Sequence, residues 1–255
     1  KYPHLVRWLN AVAKWYGLRE LIQIDEAFLM RRAEQAARSY LGDMYFDTGG
    51  KTLPRLLVGE DDGLQGLRAL LQDLANDGDG ADAPSFATQS AFGRLATQQQ
   101  IIKSLQIQMM AAALLDHPGT GAGIRREQVR RPIIIVGPPR TGTTFLHRAI
   151  ARHPQVQYLP YFEALETIAQ PSKKQVNRND DPRIARTDGA IFAIHHLRPL
   201  FSKLMVMGSH VPFEEMQLSG HCFSSLLWES SIGYTPRYSE WYRRAPQLFG
   251  YDCIH

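Results

Sequence analysis

Cysteine is nearly absent: Cys222 and Cys253 are the two in 255 residues. That excludes a disulfide framework or a cysteine metal cluster, and makes a reducing, cytoplasmic setting the expectation. No apolar run approaches the roughly 20 residues that a membrane span needs. Asn10 and Lys14 interrupt the first apolar stretch, which argues against a secretory signal there. Neither sign of charge dominates, with 29 Lys and Arg against 25 Asp and Glu. The resulting +4 suits anionic small molecules but is too diffuse to argue for nucleic acid. His195 and His196 are adjacent rather than four apart on a helix, so packing is expected of them and no metal is implied. There is no internal repeat.

What is present suits one large domain or a domain with an appendage. Residues 1–131 read as a helical region and residues 132–255 as an α/β core. Leu5, Trp8, Leu9, Val12 and Trp15 fall on one helical face. Leu29, Ala33, Ala36 and Tyr40 form a second stripe behind Asp25, which is placed to cap it. Leu64, Leu67, Leu71 and Leu74 form a third. The stretch from Ala75 to Ser85 is a polar, turn-rich linker. A long helix carrying Leu95, Ile102, Leu105 and Met109 should end near His117-Pro118-Gly119.

The most informative stretch begins at Pro132. Ile133-Ile134-Ile135-Val136 is a β-branched run without polar alternation, as in a parallel strand covered on both faces. Gly137-Pro138-Pro139-Arg140-Thr141-Gly142-Thr143-Thr144 follows, and then an amphipathic helix that should stop at His153-Pro154. A strand, a Gly-rich turn and a helix N-terminus make an anion cradle, because successive backbone N–H groups converge on one spot. The spacing of Gly137 and Gly142 is that of a nucleotide phosphate loop. Such a loop in an NTPase places Lys after the second Gly to reach the β- and γ-phosphates. Thr143 stands there instead, and the cation, Arg140, lies inside the turn.

Further on, residues 155–159 read as a second strand and residues 171–187 as a long polar loop. A helix is expected from Asp188 to Met207. Another should hold Pro212 in its first turn, with Glu214 and Glu215 at its positive end. Arg125, Arg126, Arg130 and Arg131 form the densest basic cluster. They precede the strand while the phosphate loop follows it, which separates the two by roughly 15 Å. A solvated or domain-contact patch is the expectation. Trp228, Tyr234, Tyr238, Trp241 and Tyr242 could line an acceptor pocket, but aromatic residues more often form core.

Pro139-Arg140-Thr141-Gly142-Thr143-Thr144 resembles the 5′-phosphosulfate loop of sulfotransferases that use 3′-phosphoadenosine 5′-phosphosulfate, PAPS. The Arg form looks like the bacterial-type and tyrosyl-protein branches. Arg152-His153-Pro154, Glu163, and His210 followed by Glu214-Glu215 extend the resemblance, which covers residues 132–170 and 205–242. It implies an α/β parallel-sheet core with a P-loop-like phosphate loop, PAPS as co-substrate, and no metal. Pro139, Arg140, Thr141, Gly142, Thr143 and Thr144 are then the donor-binding residues. The relatives hold the 3′-phosphate with an Arg and a Ser from a later strand–loop–helix. No such segment is present: either the chain is part of a longer protein, which is the expectation, or the 3′-phosphate site is absent.

Sulfuryl transfer is an in-line displacement whose charge problem resembles phosphoryl transfer. Arg140, the loop hydroxyls and the loop N–H groups would stabilise the equatorial oxygens and the leaving phosphate. Arg140 is permanently charged, so it stabilises without donating a proton. His210 is one candidate base, since neutral imidazole suits proton abstraction near pH 7. Glu163, just past the second strand, is the other. The acceptor, whether a small molecule, lipid, carbohydrate or polypeptide, is not legible, nor is the oligomeric state. Two rival readings remain: a small-molecule kinase with a variant loop, and a non-catalytic nucleotide-binding module.

Overall fold

A computed structural model describes residues 4–18, 21–46, 56–57, 60–75, 90–138, 140–170, 180–197, 200, 203 and 206–244. The chain divides into two units, one of residues 1–122 with 216–255, the other of residues 123–215.

The first unit is helical. Its helices are α1 (His4–Trp15), α2 (Glu26–Leu41), α3 (Glu60–Ala75) and α4 (Ala91–Asp116). A short α5 (Pro118–Ile124) follows α4. Asp25 caps α2 as expected, its carboxylate accepting the Phe28 N–H at 2.9 Å. Ser90 does the same for α4 through Gly93. Leu29, Ala33 and Ala37 of α2 are fully buried, and so are Ile101, Leu105 and Met109 of α4, the two helices packing together. Each fully buried Leu or Ile contributes roughly 1.5–3 kcal/mol relative to exposure.

Helix α4 is buried on several sides, being packed by α1, α2 and α9 (Met216–His221). Its buried polar side chains therefore bond tertiary partners. Gln98 donates to the Gln23 carbonyl at 2.7 Å, and Gln108 to the His221 carbonyl at 2.8 Å. The face expected on α1 is not a buried one: Trp8 is 62% and Trp15 86% exposed. Helix α1 meets α4 and covers only a narrow stripe against it, so most of its apolar side faces outward among the described residues. The expected linker after Ala75 lies outside the described residues.

The unit is completed by α10 (Leu227–Ile232) and α11 (Pro236–Arg244), the latter packed on α3. Trp228 and Tyr238 are core, fully buried, while Tyr234 is exposed. The Tyr238 hydroxyl lies within hydrogen-bond distance of the Phe223 and Ser225 carbonyls and accepts the Ser225 N–H. Burial pushes its ionisation far above the ordinary range. Asp73 of α3 caps α11 from outside, accepting the Arg237 N–H at 3.2 Å and the Tyr238 N–H at 2.9 Å. Its carboxylate is 2% exposed. Thr235, just before that helix, leaves its buried hydroxyl without a partner among the described residues. Asp73→Ala would strand the buried Tyr238 N–H and the part-buried Arg237 N–H, so a loss of about 2 kcal/mol is expected in urea unfolding. An unchanged midpoint would remove Asp73 from the cap.

The second unit holds α6 (Thr143–Ile150), α7 (Tyr161–Leu165) and α8 (Pro182–Leu197). Helix α8 begins six residues earlier than expected and ends well before Met207. The cause is Asp181-Pro182, an acceptor followed by a residue preset for the first helical position. The Asp181 carboxylate accepts the Arg183 N–H at 2.9 Å. The Arg183 guanidinium also bonds it and holds it below the usual carboxylate range. That support is present at neutral pH and is lost only as acid protonates Asp181. Arg183 further donates to the Glu166 carbonyl at 2.7 Å, closing the C-terminal end of α7. The described residues contain no strand ladder, only one isolated antiparallel bridge between Pro160 and Pro212.

Candidate functional site

Residues 132–138 are neither helical nor paired in a ladder. Ile134 and Val136 are 78% and 87% exposed, so the two-sided cover expected for this run is not supplied by the described residues. The turn after them is tightly folded. A Cβ on Gly137 would meet Thr141 Oγ1 and Thr143 Cγ2 at 3.0 Å each. Gly142 has φ +94°, a left-handed geometry that disfavours a side chain. Thr141 Oγ1 donates to the Pro138 carbonyl at 2.7 Å and ties the turn to itself.

Arg140 also has positive φ, +68°, which is uncommon outside glycine and concentrates at functional positions. Its side chain is exposed and has no hydrogen-bond partner among the described residues. Among the described residues no side chain caps α6, so the N–H groups of its first turn have no side-chain partner there. Pro139, the remaining expected loop residue, lies outside the described residues.

His210, Glu163 and the loop all belong to this one unit. His210 sits in a turn over residues 208–211, closed by the Val211 N–H on the Gly208 carbonyl at 3.1 Å. The carbonyls of that turn cap α7: Tyr161 N–H donates to Val211, and Phe162 N–H to Ser209, each at 3.0 Å. Phe213 N–H returns a bond to the Leu159 carbonyl at 2.9 Å. Pro212 therefore lies in an extended, bridged segment and does not open a helix; the next helix starts at Met216. Glu163 occupies the first turn of α7, half-buried, directly after the residue bonded to Ser209. The His210 ring meets the Phe162 ring edge-on at 5.5 Å.

The turn segment reaches the start of α6 through Glu214, whose Oε1 accepts from Thr144 Oγ1 at 3.3 Å. Four residues span at most about 14 Å, which bounds the separation between the backbones of His210 and Glu214. Glu214 is thus a partner of α6 rather than of a helix that it opens itself. Sequence reasoning missed this link, and also Arg148 and Tyr158, which bond the carbonyls of Val206 and His210. One signal was available for Arg148: it stands four residues after Thr144 on α6, on the same helical face.

Other expectations sort simply. Arg125, Arg126, Arg130 and Arg131 are all exposed. His196 Nδ1 donates locally to the Phe192 carbonyl at 2.8 Å and the ring packs on the Phe192 ring. Among the described residues no group of three or more potential metal ligands clusters, and no helix is long and apolar enough to cross a membrane.

Residues 132–252 match the sequence model of the sulfotransferase family. No curated protein matches the chain. Among solved structures, the sulfotransferase STF1 from Mycobacterium tuberculosis H37Rv aligns with a TM-score of 0.57 at 20% identity. The alignment covers 84% of this chain and 52% of that one, so the chain spans about half the length of its structural neighbour. The family match spans the turn at residues 137–144, α7 and the His210 turn alike.

Proposed function

We propose that the chain carries the 5′-phosphosulfate site of a PAPS-dependent sulfotransferase. The observation that supports this most is the turn at residues 137–144. Among the described residues it is tied to itself, opens a helix N-terminus without a side-chain cap, and carries an exposed Arg140 without a hydrogen-bond partner. Backbone N–H groups and the hydroxyls of Thr143 and Thr144 would bind the phosphosulfate oxygens, with Arg140 at the bridging oxygen. The acceptor's hydroxyl or amine loses its proton to a base, its O–S or N–S bond forms, and the S–O bond to the 5′-phosphate breaks. 3′-Phosphoadenosine 5′-phosphate leaves. His210 is the proposed base and Glu163 the competing one. Ile133–Val136 would be a strand of a parallel sheet.

The chemistry needs no metal where this many donors converge. A kinase reading is disfavoured because Thr143 stands where a triphosphate site requires Lys. Calorimetry is expected to show metal-independent binding of 3′-phosphoadenosine 5′-phosphate, tighter than binding of ATP. Tighter, Mg-dependent ATP binding would overturn the proposal in favour of a kinase.

A further inference from the structure

We infer that Arg148 and Tyr158 are positioning residues that hold the His210 turn in register with the phosphate loop; this rests on His210 being the base. Helix α6 grips the segment 206–214 at both ends. At its first turn Thr144 donates to Glu214, and one turn later Arg148 Nη2 donates to the Val206 carbonyl at 2.9 Å. Tyr158 Oη grips the middle, donating to the carbonyl of His210 itself at 3.2 Å. The helix that would bind donor at its N-terminus is therefore also the helix that fixes where the base stands.

Packing does not do this alone. An open cavity of about 240 Å³ lies beside these contacts, lined by Arg148, Ala151, Arg152, Tyr158, Val211 and Pro212. With space on that side of the turn, the directional bonds set its position. Among the described residues Arg148 Nε is buried without a hydrogen-bond partner, an unfavourable placement that the bond to Val206 must offset.

The test uses the whole chain, with release of 3′-phosphoadenosine 5′-phosphate from PAPS as readout and water as acceptor. Arg148→Met and Tyr158→Phe should each lower kcat about tenfold, the effect of one lost hydrogen bond acting at the reacting centre. Affinity for 3′-phosphoadenosine 5′-phosphate should stay within about twofold, which also shows that the variants fold. Arg148→Lys keeps a donor and should recover part of the rate. In a His210→Ala background the same substitutions should cost almost nothing further, because no base remains to be positioned. Equal losses in both backgrounds, unchanged kcat in the parent, or a collapse of nucleotide affinity would each overturn the inference. Full turnover in His210→Ala alone would instead refute the base assignment, a result distinct from additive losses.

Discussion

Arg140→Ala is expected to lower turnover by at least about 100-fold, the loss typical of removing one preorganised donor from a developing charge. The fold should barely change, since the side chain is exposed and makes no bond among the described residues. What the position does carry is backbone strain. A non-glycine residue at φ +68° costs about 1 kcal/mol, and alanine would carry that cost as arginine does. Arg140→Gly separates the two effects: it should relieve the strain, raise stability slightly, and remain as impaired as the alanine variant. Arg140→Lys should fall between, because an ammonium replaces the charge but not the planar, two-pronged donor. Steady-state turnover alongside thermal melting reads both quantities. Near-normal turnover in Arg140→Ala would remove Arg140 from the site.

The parts of this architecture that were legible in the sequence are those fixed locally. Asp25 capping α2 and the turn between Gly137 and Gly142 depend on residues a few positions apart, and both were read from spacing alone. The core role of Trp228 and Tyr238 also followed from residue type. Tertiary context decided the rest. The Trp8 and Trp15 stripe was periodic enough to predict a helix, but periodicity does not say how many neighbours a helix has. Pro212 looked like a helix start; bonding between residues 159–162 and 209–213 made it extended instead. Asp181-Pro182 was a local signal hidden inside a polar stretch. The bond from Thr144 to Glu214 joins residues 70 apart and leaves no trace in either local pattern.

His210→Ala is expected to lower turnover about 10²- to 10⁴-fold, the range for losing a general base, while leaving affinity for 3′-phosphoadenosine 5′-phosphate nearly intact. The separation follows from role: the base meets the acceptor's proton, whereas the loop meets the nucleotide. Glu163→Gln is the necessary companion. Its backbone is joined to the His210 turn through Phe162 and Ser209, so either side chain is carried by the same bonded unit. Glutamine preserves size and hydrogen bonding at position 163 but cannot take a proton. If Glu163→Gln abolishes turnover and His210→Ala does not, the two roles are exchanged. If both variants lose rate and Glu163→Gln also loosens the fold, Glu163 supports the turn and His210 keeps the proton. In the sequence His210 was the expected base and Glu163 its competitor, each as readily read as an ordinary side chain. In the structure the His210 turn is held by the edge-on Phe162 ring, the Tyr158 hydroxyl, and the bonds from its carbonyls that cap α7. A turn held on three sides keeps a side chain near one geometry, which general-base catalysis requires.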